Sequence, residues 1–444
     1  MGHADLAVRG TAFHAPTPDR LDVLEDVVIA VDADGRIDAI HPGGSPEGDI
    51  TENTAAHSIR LASGQRLLPG LIDLHLHAPQ WPQLGTGLDL PLERWLFEHT
   101  FPLEARFADA SFAAEVWSHM VPTLLAHGTT TAVFFSSIHE EATLALAQTC
   151  VQAGQRAFVG RVAMDHPEGT PESYRDRSPA EGIDASAASI EAIRGLGSRI
   201  VQPMLTPRFI PACSDELLEG LGELAESTGT LVQTHCSESD WEHDAVIERF
   251  GHTDTAMLDR FGLLRRSTVL AHGDHLTDED FRRVATVGAG VAHCPLSNSY
   301  FANAVFPVRR ALEAGVGVGL GTDVAGGGHP GLLPQAAHAV TVSRMLEDGV
   351  DRDRSSDARG VPESRIDVVT AFHLATAGGA DVLGLPVGRF APGQQFDAFV
   401  VDIDAAASGL RRWDVDSEER LFEKLVRLAG PDAITRVWVD GKEV

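Results

Sequence analysis

Eight short apolar runs, separated by stretches with helical patterning, constrain this chain more than any other feature. They lie around Leu71–His77, Thr131–Ser136, Ala157–Asp165, Ile200–Pro207, Leu231–His235, Thr268–His272, Val291–Pro295 and Val316–Asp323. Strands that alternate with helices form parallel sheets, because a parallel connection must cross over and a helix is the usual way to do it. Eight such units predict an α/β fold, a (β/α)8 TIM-like barrel over residues 67–385. In that architecture reactive side chains gather at the C-terminal ends of the strands.

The two ends of the chain read differently. Val27–Val31 and Arg36–Ile40 flank Ala33-Asp34-Gly35, a hairpin signal because Asp-Gly tolerates the positive φ of a tight turn. The same texture returns in 395–402 and 434–440. Neither end holds enough strands to close a core alone. A small composite β-sandwich built from 1–66 and 386–444 is therefore expected, with a helical interruption from about Ala405 to Gly430.

Composition narrows the function classes. With 64 acidic against 35 Lys and Arg residues the formal net charge is −29, which argues against binding a nucleic-acid backbone. No stretch of 18 apolar residues and no basic-then-apolar start is present, so a membrane partner is not expected and a cytoplasmic location is the default. Cys150, Cys213, Cys236 and Cys294 form no C-x-x-C pair and are expected to be reduced. That spacing is also what the H-x-E, P-C-x-x-C zinc deaminases require, and a P-loop would need a lysine that the chain lacks until Lys424.

The strand ends carry the chemistry. Along a strand side chains alternate, so Asp73, His75 and His77 share one face while Ile72, Leu74 and Leu76 take the other. Two converging imidazoles begin a metal site suited to zinc, iron or nickel. An isolated His-x-His is more often just the end of a strand. Here, however, His75 and His77 with Gln80 beyond them, Arg208-Phe209, His235 with Glu238, His272, His293 and Asp323 close six of the eight runs. Polar residues scattered at random would not fall at one end of one architecture.

With these residues placed, the chain resembles the amidohydrolase superfamily, and within it the guanine deaminase family. The broad pattern is Pro69-Gly-Leu-Ile-Asp-Leu-His75-Leu-His77, then His235, His272 and Asp323. The narrower one is His77-Ala-Pro-Gln80-Trp81, Asp89-Leu-Pro-Leu-Glu-Arg-Trp95, Thr100-Phe-Pro, Gly128-Thr-Thr-Thr131, Thr206-Pro-Arg208-Phe209, His293-Cys-Pro and Gly321-Thr-Asp323-Val-Ala-Gly-Gly327. The resemblance runs from about Leu67 to Gly379 and includes the terminal sandwich. It is least clear between Met164 and Ser189.

The resemblance implies hydrolytic deamination of guanine, a small-molecule purine, to xanthine and ammonia, with a homodimer as the assembly. It implies one Zn2+ per chain on His75, His77, His235 and Asp323, with Fe2+ the other metal of such sites. Two-metal relatives bridge their ions with a carboxylated lysine on a barrel strand, which this chain cannot supply. Asp323 would relay the proton of the attacking water, Glu238 would act as general acid and base at the ring nitrogen, and His272 would orient the nucleophile. Arg208 and Gln80 would read the O6 and N1 edge of guanine. Trp81, Phe209 and Trp95 are wall or lid candidates that serve equally well as core. His293, Cys236 and Cys294 read as structural. Sister deaminases or chlorohydrolases acting on 8-oxoguanine, cytosine, adenosine-type nucleosides or triazines share the metal pattern, and a silent scaffold would have lost it.

Overall fold

The computed structural model describes residues 4–405 and 409–444. Strands Leu6–Thr17, Arg20–Val31, Ile37–Pro42, His57–Arg60 and Gln65–Pro69 join Ala398–Asp402, Ile434–Val439 and Lys442–Glu443 in one eight-stranded sheet. Gln65–Pro69 is the stitch between the ends, parallel to Leu6–Thr17 and antiparallel to Ala398–Asp402, and it straddles the limit expected at residue 66. The Asp34-Gly35 turn lies where the sequence places it. Gly35 has φ +76°, and a Cβ there would sit 2.1 Å from the Asp440 carbonyl oxygen. Only glycine lets the N-terminal hairpin rest on the C-terminal one. Residues 1–66 are not all strand, since Pro46–Thr54 is a helix capped by Ser45.

Helix Glu418–Leu428 is the expected interruption of the C-terminal part, and 406–408 of that segment lie outside the described residues. Ser417 caps it, and Leu421, Phe422, Leu425 and Val426 form its buried stripe at helical spacing. Phe422 packs edge-on between Phe13 of the sheet and Phe372, with centroids 5.7 and 5.2 Å away. Buried ion pairs fasten the units: Arg66 to Glu418 at 2.9 Å, and Arg156 of the barrel to Asp397 of the sheet at 2.9 Å.

The eight apolar runs become β1 (Leu71–His77), β2 (Thr129–Phe135), β3 (Arg156–Gly160), β4 (Val201–Pro207), β5 (Leu231–Cys236), β6 (Val269–His272), β7 (Gly290–His293) and β8 (Gly317–Leu320). They pair in that order, all parallel. All seven residues of β1 are buried, as a strand covered on both faces must be. Ile72 and Leu74 share one buried cluster with Val133, Phe158, Met204, Val269 and Ala292 of other strands and with Ala380 and Val382, while Leu76 packs in another, so the register shifts in β1 break the simple alternation expected from sequence.

The seam between β8 and β1 is closed just past the end of β8. The Asp323 N–H donates to the His75 carbonyl at 2.8 Å, and the His77 N–H donates to the Val324 carbonyl at 2.8 Å. Buried Asp73 accepts from the Thr322 N–H at 3.0 Å and from its hydroxyl at 2.5 Å. The glycines before Thr322 serve close packing, because a Cβ on Gly321 would lie 2.9 Å from that of His75. The barrel closure and the candidate metal ligands are thus the same stretch of backbone.

The longest excursion runs from β1 to β2. Short helical turns cover Ala78–Ala108, and then helix Ala110–Ala126 starts from its Asp109 cap and returns the chain to the sheet. These turns fold over the C-terminal mouth of the barrel, and Gln80, Leu92, Trp95 and Leu96 reach its cavity from them. All four cysteines are free and buried. Among the described residues no helix is long and apolar enough to cross a membrane.

Candidate active site

A cavity opens at the C-terminal ends of the strands, its lining including His77, Gln80, Arg208, His235, Glu238 and Asp323. At its floor ring nitrogens and a carboxylate oxygen converge. His77 Nε2 lies 3.0 Å from His235 Nε2, and Asp323 Oδ1 lies 3.1 Å from His75 Nε2 and 3.6 Å from His77 Nε2. His235 Nδ1 donates to the Arg208 carbonyl at 2.6 Å, which leaves the Nε2 lone pair bare and aimed inward. Both ring nitrogens of His75 and Nε2 of His272 are buried with no hydrogen-bond partner. Burial, reinforced by neighbouring imidazoles and Arg208, holds His75, His77 and His235 well below the usual histidine range.

Neutral imidazoles with unpartnered lone pairs around one carboxylate are what a cation needs, and without one the atoms would bear the cost of buried unpaired groups. The residues therefore fit a metal. Ligand atoms of His75, His77 and Asp323 lie within 4.8 Å of one another, as do those of His75, His235 and His272, and of Glu238, His272 and Asp323. The four expected ligands fall across the first two groups, and His272 stands beside them.

The left-handed backbone at Ser237, His272 and Asp323, with φ +50°, +74° and +47°, concentrates strain at the ends of β5, β6 and β8. Neighbouring groups hold those bends. The His272 Nδ1–H donates to Asn298 Oδ1 at 2.8 Å, and Asn298 Nδ2 donates to Asp274 at 2.8 Å. The Ser237 N–H and hydroxyl both donate to buried Asp254.

Glu238 is buried at the cavity with its Oε1 3.7 Å from His272 Nε2. Burial, then the charge of Asp323, pushes its carboxyl well above the usual range, with Arg208 opposing. Burial also raises Asp323.

At the other wall, Arg208 is clamped. Its two terminal nitrogens donate to Glu104 at 2.6 and 3.1 Å, and its guanidinium lies 4.8 Å over the Phe101 ring. Gln80 Nε2 donates to the same carboxylate at 2.9 Å, and Gln80 Oε1 accepts the Ala325 N–H at 3.1 Å. Glu104 went unread in the sequence. The only signal was its place two residues beyond Thr100-Phe-Pro, on the excursion that supplies Gln80.

Phe209 and Trp95 line the cavity, joined by Trp241 and Phe301, which sequence reasoning missed. Trp81 does not line it. Its indole N–H donates to His119 Nδ1 at 3.0 Å, so the expectation of substrate contact is corrected to a packing role. His293 is buried against Phe306, and Cys236 and Cys294 are buried with their thiols pushed well up by desolvation, consistent with structural roles.

Known proteins resemble this chain over nearly its whole length. Residues 66–444 match the amidohydrolase family. The guanine deaminase of Dictyostelium discoideum is 33% identical over 454 residues, covering 98% of this chain and 97% of its own. The crystal structure of guanine deaminase from C. acetobutylicum with bound guanine in the active site superposes with a TM-score of 0.88 at 29% identity, covering 99% of both chains. An adenosine deaminase from Xanthomonas campestris with bound zinc gives 0.81 at 25% identity, covering 99% of this chain and 92% of its own. This chain belongs to the amidohydrolase family and, within it, to the guanine deaminases.

Proposed function

We propose that this protein hydrolyses guanine to xanthine and ammonia in one cavity, at a single zinc ion held by His75, His77, His235 and Asp323. The observation that carries this reading is the placement of Arg208 and Gln80, both fixed by Glu104, across the cavity from the histidine and aspartate cluster with Glu238 beside it. A flat neutral ring needs fixed donors and acceptors on one edge and reactive groups on the other. A divalent ion in that cluster would lower the pKa of a water to roughly 7 and make it nucleophilic.

The side chains divide the remaining work. Arg208 and Gln80 hold the O6 and N1 edge and so turn the amine-bearing carbon toward the cluster. Glu238, kept protonated by burial, donates to the ring nitrogen beside that carbon, which drains the charge that attack would otherwise build there. Asp323 accepts the proton of the attacking water and passes it to the departing amine, and the remaining hydroxyl proton returns to Glu238 as the new carbonyl forms. His272, fixed by Asn298, orients the nucleophile and steadies the oxygen of the tetrahedral species. Phe209, Trp95 and Trp241 exclude water.

Zinc as the first choice is supported by the zinc-bound neighbour, and the donor set of nitrogens and one carboxylate suits Fe2+ as well. A homodimer in the cytoplasm, a role in purine breakdown, no nucleic-acid or membrane partner, and the division at 66/67 and 385/386 complete the proposal. The test is ammonia release by purified protein of known metal content, offered guanine, 8-oxoguanine, adenine, cytosine and a triazine. Clear preference for guanine with about one metal per chain is expected. Preference for another ring would overturn the assignment of Arg208 and Gln80.

A further inference from the structure

Arg208 is the one permanent positive charge among the side chains lining the cavity, and it does not stand free. Glu104, with no exposed surface, takes one N–H from each terminal nitrogen of its guanidinium and a third N–H from Gln80. The Tyr174 hydroxyl sits against the same carboxylate. Of five guanidinium N–H groups three remain, and Gln80 Nε2 keeps one. The edge offered to a ring therefore has donors but no uncompensated charge. The other charged or titratable groups lining the cavity are His77, His235, Glu238, Glu242 and Asp323.

Substrate and product differ in this respect. Guanine is neutral near neutral pH. Xanthine has two ring carbonyls where guanine has one, which acidifies its ring N–H groups, so part of it is an anion at and above neutral pH. A bare buried guanidinium would hold that anion. One whose charge Glu104 cancels would not.

We propose that Glu104 is a positioning and specificity residue. It cancels the charge of Arg208 so that the pocket reads a neutral ring, and it thereby speeds release of the anionic form of the product. This rests on the guanine-deaminating reading above.

The test uses the metal-loaded protein, with guanine as substrate and xanthine as added inhibitor. In the unaltered protein the ratio of the xanthine Ki to the guanine KM should rise between about pH 6 and about pH 8.5, the guanine KM correcting for titration of the protein's own groups. Glu104→Gln removes the charge and keeps the shape. It should raise the guanine KM and lower the xanthine Ki by about tenfold at the upper pH, the two constants moving in opposite directions. Glu104→Asp, which retains the charge, should keep the unaltered direction. A pocket that had merely lost its shape would weaken both ligands together, and that result in Glu104→Gln overturns the proposal. So does a flat or falling ratio in the unaltered protein, which decides the matter if the Gln variant does not fold. Absence of ammonia from guanine would instead overturn the substrate reading beneath it.

Discussion

Replacing Glu238 by Gln tests the proposed proton transfer with little disturbance elsewhere. The substitution keeps the side chain's length and volume. It leaves the Glu238 backbone N–H on Glu242 Oε2 at 2.7 Å and the Asn298 bond to His272, neither of which uses the Glu238 carboxyl. What disappears is an acid that burial and Asp323 keep protonated well above the ordinary carboxylate range. An amide can donate a hydrogen bond to the ring nitrogen but cannot transfer the proton. General acid and base groups contribute typically ~10²–10⁴-fold, so kcat should fall by that factor, equivalent to ~2.7–5.5 kcal/mol of barrier. Metal content and melting temperature should not change. The pH profile supplies a second check, because activity requires the acid form. In the parent it should decline as pH rises through the raised Glu238 pKa, and in the variant that limb should vanish from the residual rate. Ammonia release, metal analysis and a thermal melt on the same preparations measure all three. A variant with full metal and kcat within tenfold of the parent would remove Glu238 from the proton path.

Three other outcomes are expected. Arg208→Ala strips the donor fork and leaves Glu104 buried without its cation, so the guanine KM should rise by about 10²-fold or more, and unchanged guanine kinetics would refute the assigned edge. Phe422→Ala opens a void between Phe13 and Phe372 and should destabilise the protein by about 3–5 kcal/mol with kcat retained, measured by denaturant unfolding. Buried His293 has its pKa lowered from 6.5 to about 3, so the unfolded chain takes up that proton first and stability drains as pH falls through this window. His293→Phe removes the effect, and its stability relative to the parent should improve by about 2–3 kcal/mol between about pH 7 and about pH 4.5. A pH-independent difference between the two would refute that account.

The barrel was legible because its signal is local and repeated. Each strand from β1 to β8 is a short apolar run between breakers, and a run ending in His or Asp carries its own marker. His75, His77, His235 and Asp323 could be read for that reason, each from its own few residues. Glu104, Asn298 and Asp274 could not. Each acts by holding another side chain, and the partner lies 104 residues from Glu104 and 26 from Asn298. A buried carboxylate looks in sequence like any surface one, and only the fold shows whether a guanidinium sits against it. Trp81 failed for the opposite reason, because its neighbour Gln80 faces the cavity and the turn through Ala78–Gln83 points the indole toward His119 instead.

The same contrast explains why the reactive groups sit where regular structure ends. A continuous β8 would pair with β1 through ordinary ladder bonds and bury its side chains alternately. Instead the chain leaves the strand after Leu320, Asp323 takes a left-handed backbone, and the seam is closed by the Asp323 and His77 N–H groups and by the Asp73 carboxylate. That irregular closure brings the Asp323 side chain within 3.6 Å of both His75 and His77. Asp73 is itself pushed up to about 7 by burial, so holding the seam with a carboxylate costs stability that a simple ladder would not. The cost falls on the joint where Asp323 meets His75 and His77, and this ties the irregular closure to the candidate site as well as to the fold.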